Sequence, residues 1–194
     1  MATRGQRPSR RGLYLPFILL SLVALLWCAY WLAGAHFASR AIDQRIAAEK
    51  EKGREWHCAN RSLTGFPFRF LLRCDGMSLT VGQKFTLTLP AFRAIAMAYS
   101  PRHVIAEADG PALFRNAGYN DLRVNWQNIQ ISVQGAGTRT MSLSAIATAP
   151  AADEMTANAA TSIFSAATFE LHGRPSPGRD AADPAIDIAT TGTQ

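Results

Sequence analysis

The sequence predicts a mainly β protein: an N-terminal transmembrane helix and a short stalk helix, followed by an antiparallel β-meander. Three observations predict it. Leu13 to Ala35 carries no charged residue, Phe37 to Lys52 repeats its apolar residues every three or four positions, and from Trp56 onward the period falls to two. A chain of 194 residues, 48% of them hydrophobic, can bury one ordinary core, so a single folded domain is expected beside the N-terminal helix. The expected divisions are a basic tail at 1–12, an anchor at 13–35, a stalk at 36–55 and a β-rich domain at 56–194.

The tail explains the charge. Arg4, Arg7, Arg10 and Arg11 precede the first apolar run, and without them the formal charge of +6 falls to +2. Such a distribution is a topology signal rather than an electrostatic footprint for a polyanion, so nucleic acid is not an expected partner. The anchor follows as "LYLPFILLSLVALLWCAYWLAGA", which as a helix spans roughly 34 Å, enough to cross a bilayer. Pro16 is expected in its first turn, and Tyr14, Trp27, Tyr30 and Trp31 lie toward its ends as interfacial anchors. The arginines place the N-terminus in the cytoplasm, and the remainder is expected in the periplasm of a bacterium with the inner membrane crossed once.

Processing admits rivals. Ala33-Gly34-Ala35 fits a signal-peptidase pattern, but the apolar run exceeds the roughly 7–15 residues of a secretory core, which favours an uncleaved anchor. Ser9-Arg10-Arg11-Gly12-Leu13 also resembles the start of a twin-arginine signal. In the stalk, Phe37, Ala41, Ile42 and Ile46 share a helical face until Gly53.

The strands follow in order. Phe66, Phe68, Phe70, Leu72 and Cys74 alternate onto one face, with Arg69 and Arg73 on the other. Phe85, Leu87 and Leu89 alternate with polar residues, as do Val104, Ala106 and Ala108. In "DLRVNWQNIQISVQ" the phase passes from Leu122, Val124 and Trp126 to Ile129, Ile131 and Val133, which predicts a β-bulge at Gln127-Asn128. Met141, Leu143 and Ala145 form another strand, then Phe169 and Leu171, then Ile186 and Ile188. Ala151 to Ala167 lacks periodicity and is expected as a loop with a helical turn, and "GRPSPGRDAADPA" as a connector. The late alternation suggests a sheet that is curved or incomplete at the C-terminus.

"GFPFR", Gly65 to Arg69, carries the strongest local signal. Gly65 supplies a turn and Pro67 holds Phe66 extended, so a strand begins there, at a sheet edge or against a bulge, with three core aromatics. Arg69 and Arg73, on the opposite face, are candidate contacts for a lipid headgroup or a partner carboxylate. Cys58 and Cys74 are the two thiols beyond the anchor, and an oxidising compartment favours a disulfide between them, worth roughly 3 kcal/mol by loop entropy. The rival is zinc on His57, Cys58 and Cys74, which lacks a close Cys pair and a fourth ligand, so no metal or other cofactor is expected.

Trp56, Cys58, Gly65 to Arg69, Cys74 and the "VNWQNI" around Trp126 resemble the pattern of an uncharacterised alphaproteobacterial family, domain of unknown function 2125. The resemblance implies a membrane-anchored exported protein and supports the cysteine pair. It implies no activity. Members of that family tend to be longer, so this chain is expected to represent their N-terminal part.

No nucleophile elbow, phosphate-cradling glycine loop, paired-histidine zinc helix or dinucleotide fingerprint is present. Glu107 and Asp109 share a strand face, which is the ordinary wet side of a strand, and His36, His57, His103 and His172 have no mutual spacing that implies a site. The expected function is therefore non-catalytic: a sheet face that binds lipid or another envelope component, with a structural or assembly role in an envelope complex as the alternative and, third, an enzyme whose catalytic groups converge from distant strands. Ligand identity and oligomeric state are open at this level.

Overall fold

In the computed structural model, the described residues are 10–82, 84–135, 141–157, 159–175 and 186–193. Residues 1–9 of the expected basic tail and residues 176–185 of the expected connector lie outside them. One helix, α1 (Arg10–Glu51), holds both the anchor and the stalk: its 42 residues run without a break from the apolar stretch into the charged one. It starts earlier than expected, which puts Pro16 in the second turn; Gly53 then ends it, its amide donating to the Lys50 carbonyl at 2.9 Å.

Twelve antiparallel strands follow. They are β1 (Arg54–Thr64), β2 (Arg69–Val81), β3 (Phe85–Met97), β4 (Ser100–Asp109), β5 (Ala112–Asn116), β6 (Asp121–Asn125), β7 (Asn128–Gln134), β8 (Ser142–Thr148), β9 (Ala151–Met155), β10 (Ala160–Ser165), β11 (Thr168–Pro175) and β12 (Ile186–Thr193). The sheet begins β1-β2-β3 and then forks. Residues 91–97 of β3 pair with β4, which leads through β7, β8 and β11 to β12, whereas residues 85–88 pair with β5, which leads through β6 and β9 to β10.

The fork is a crease. β4 and β5, β6 and β7, β8 and β9, and β10 and β11 are successive halves of four long strands, each interrupted for two residues: Gly110-Pro111, Trp126-Gln127, Ala149-Pro150 and Ala166-Ala167. Hydrogen bonds cross the interruptions. Trp126 Nε1 donates to the Ala108 carbonyl at 2.8 Å, Gln127 N to Thr148 O at 2.9 Å and Ala149 N to Ala167 O at 2.7 Å. The meander is thus folded into two leaves, and it does not close into a barrel.

Several expectations change here. The phase slip at Gln127-Asn128 is this crease and not a bulge: β6 and β7 belong to different leaves, and both still turn their apolar residues inward. Residues 151–167 are a hairpin, β9 and β10, because backbone pairing with β6 orders Ala, Thr and Ser side chains that carry no period of their own. An additional strand, β1, precedes the turn at Gly65–Phe68; its mostly exposed side chains hide it from a hydrophobic pattern. Consequently β2 starts at Arg69, not Phe66, and is flanked on both sides rather than lying at an edge.

Candidate functional site

Three aromatic side chains of α1 hold the tip of the sheet. Trp27 Nε1 donates to the Pro67 carbonyl at 2.9 Å, Trp31 Nε1 to the Arg69 carbonyl at 2.9 Å and the Tyr30 hydroxyl to the Ala98 carbonyl at 2.7 Å. The rings add packing: Trp31 stacks on Phe70 at 5.5 Å and meets the edge of Phe66 at 5.4 Å, while Trp27 lies 6.5 Å from Phe68. Gly34 allows the approach, since a Cβ there would come within 2.9 Å of the Phe70 ring. Gly65 is required at the turn, where φ is +103° and a Cβ would meet the Arg69 carbonyl at 2.7 Å. Of the three expected core aromatics, Phe66 and Phe68 are instead exposed at 54% and 65%; they belong to the turn and face the helix, not the interior of the sheet.

From this clamp an apolar groove runs along the inner face in three linked hollows. The first, about 430 Å³, lies between Tyr30, Gly34 and Ile42 of α1 and Phe70, Leu72 and Val104 of the sheet. Ile42 and Leu72 also line the second, about 290 Å³, beside Trp56 and the cysteine pair. Met77 and Phe92 lead into the third, about 560 Å³, which lies in the crease between Leu87, Phe114 and Val124 and, on the other leaf, Ile129, Ile131 and Phe169. These volumes are in the range of small-ligand sites, roughly 300–1,000 Å³. The third hollow is lined without a charged residue.

The sulfurs of Cys58 and Cys74 are at bonding distance, 2.06 Å. They join β1 to β2. That bond occupies both thiolates needed for a zinc site, and among the described residues no group of three or more His, Cys, Asp or Glu side chains could hold a metal ion. Arg69 and Arg73 do not converge on one site. Arg73 Nε binds both Asp75 oxygens, at 2.9 and 3.2 Å, whereas Arg69 stands exposed at the tip without a carboxylate partner among the described residues. Asp109 of the Glu107/Asp109 pair is engaged by Arg93.

One polar cluster escaped the sequence pattern. His172 Nδ1 lies 3.0 Å from Ser144 Oγ and Nε2 lies 3.4 Å from Glu170 Oε2, on the neighbouring strands β8 and β11. Direct cross-strand pairing of His172 with Ser144 produces it, and only the strand register could have revealed it. Ser144 and His172 line a hollow of about 450 Å³ on the face of the sheet opposite Leu171, and both strands are paired on each side, so their backbone amides serve the ladders instead of forming an oxyanion hole.

α1 is long and apolar enough to cross a membrane. No curated protein and no solved structure matches the chain. Residues 31–194 match the family described as an uncharacterised protein conserved in bacteria, domain of unknown function 2125. That match takes in the aromatic clamp from Trp31 onward, the cysteine pair and the whole creased sheet: the chain belongs to the domain of unknown function 2125 family.

Proposed function

We propose that the chain is an inner-membrane protein whose periplasmic sheet binds a lipid through its acyl chain. The supporting observation is the continuity of the groove, whose three hollows share lining residues from Tyr30 on the apolar helix to Phe169 in the far leaf. An apolar slot stabilises hydrocarbon by burial and leaves a polar ligand's hydrogen bonds unmet; its first and third hollows are lined without a charged residue, and Arg61 beside the second is paired with Asp43. Contact between the mouth of the slot and the membrane helix spares a lipid any passage through water. The four arginines ahead of the apolar stretch, Arg4, Arg7, Arg10 and Arg11, support the orientation, with the sheet on the opposite side from the cytoplasm.

Photoreactive amino acids at Leu89 and Ile131, in full-length protein in native membranes, test the reading. Lipid adducts are expected at both positions and not at Thr88, which alternation directs to the opposite face. Equal labelling at Thr88, or none in the groove, would remove it.

The assembly reading rests on a different feature. Among the described residues β1, β10 and β12 are each paired on one side only, and residues 187–193 of β12 are exposed, so an extended partner segment could add to the β12 edge. A photoprobe at Thr190 would then capture one discrete protein in membranes; labelling of no protein argues against this role.

A further inference from the structure

We infer that the tip of the sheet enters the membrane, so that the turn at 65–68 and the β3–β4 turn lie among the lipids of the leaflet on the sheet's side. The inference rests on the reading of α1 as membrane-spanning, and it concerns a surface the groove does not use. From Leu13 to Trp27 the helix rises about 21 Å at about 1.5 Å per residue, about 9 Å short of a hydrocarbon core of about 30 Å. The tip is nevertheless already bonded to the helix at Trp27. A sheet resting on top of the bilayer could not reach that level; the tip must descend to it.

The surface chemistry agrees. Phe66, Phe68, Met97 and Tyr99 form the tip, and Tyr99 is 73% exposed. Arg69 and Arg102 are exposed beside them, and no Asp or Glu occurs between residues 56 and 74 or between 76 and 106. Aromatic rings with arginines and no carboxylates fit the boundary between acyl chains and anionic headgroups. At the opposite end of the sheet Tyr119 is equally exposed, but Asp121, Arg115 and Glu154 surround its turn, and Phe85 and Phe114 on the adjoining strands are half-buried.

The backbone supplies an independent argument. Non-helical backbone in lipid is tolerated only where its polar groups are satisfied within the protein. Here the carbonyls of Pro67, Arg69 and Ala98 accept from Trp27, Trp31 and Tyr30, those of Gly65 and Phe68 accept from the Arg69 and Ala98 amides, and Pro67 has no amide proton. Immersion of the tip also brings the mouth of the groove, between Tyr30, Phe70 and Pro101, to the level of the acyl chains.

Spin labels on full-length protein in vesicles of phosphatidylcholine and phosphatidylglycerol test the inference through relative accessibility to oxygen and to a water-soluble nickel chelate. Labels at Phe66→Cys and Tyr99→Cys are expected to favour oxygen, as Leu20→Cys on the helix does, and Tyr119→Cys to favour the chelate. Phe68→Cys and Met97→Cys provide second sites should the first pair fail to fold. Chelate accessibility at the tip with a lipid-immersed Leu20 would overturn the inference alone; chelate accessibility at Leu20 would overturn it together with the membrane-spanning reading.

Discussion

Replacing Trp31 by alanine should release the helix from the sheet. Trp31 is the most buried large side chain among the described residues, at 8% exposure, although it lies in a segment whose neighbours are mostly exposed. Truncating a buried tryptophan costs about 3–5 kcal/mol through lost burial and the cavity left behind. Part of that is specific to this site: the hydrogen bond to the Arg69 carbonyl contributes about 1 kcal/mol, and the contacts with Phe70 and Phe66 about 0.5–1.5 kcal/mol each. Trp31→Phe separates the contributions, because it keeps a ring for Phe70 but leaves the carbonyl without its donor, at a cost of about 1–3 kcal/mol. Urea unfolding of the full-length protein in detergent, followed by near-ultraviolet circular dichroism, measures both variants. The alanine variant should be the less stable of the two. If Trp31→Ala matched the parent within about 0.5 kcal/mol, the clamp would be a passive contact and the docking of helix on sheet would need another cause.

Three further outcomes follow from the same geometry. Ala147, 8% exposed and lining the crease, should tolerate phenylalanine poorly: overpacking costs about 1–3 kcal/mol, and lipid recovered by mass spectrometry from purified Ala147→Phe should fall while Thr88→Phe leaves it unchanged. Cys58→Ser with Cys74→Ser should lower stability by about 3 kcal/mol, as expected for a loop closed across 16 positions, and the parent should migrate faster than its reduced form on a denaturing gel. Glu49 has its pKa lowered, chiefly by the hydrogen bond from Arg54 and secondarily by Lys52. Its contribution is therefore fully present above the ordinary carboxylate pKa and lost as pH falls through the depressed one. Glu49→Gln should flatten the acid limb of a stability profile between pH 7 and pH 3, and a limb identical to the parent's would contradict that assignment.

How much of the site was legible varied with the kind of signal. The cysteine pair followed from composition and compartment, and the inward faces of β3, β4 and β7 followed from alternation at Leu87, Ala106 and Ile131. Phe66 and Phe68 misled, because alternation around Pro67 looks the same in a strand and in a turn whose rings pack on a helix. β1 and β10 were missed for the opposite reason: residues 160–165 are all exposed, and only ladder hydrogen bonds make them a strand.

The amino-acid order by itself determined what depends on neighbours along the chain: an apolar helix of membrane-spanning length, a two-residue period after it, and the family. Tertiary structure alone decided which face of each strand meets which. The crease brings Phe114 of one leaf and Phe169 of the other to one groove although 55 positions separate them, and the clamp places Trp31 under Arg69. Periodicity records which side of an element is apolar; the partner of that side is set by long-range pairing, whose energy is gained only once distant segments have met.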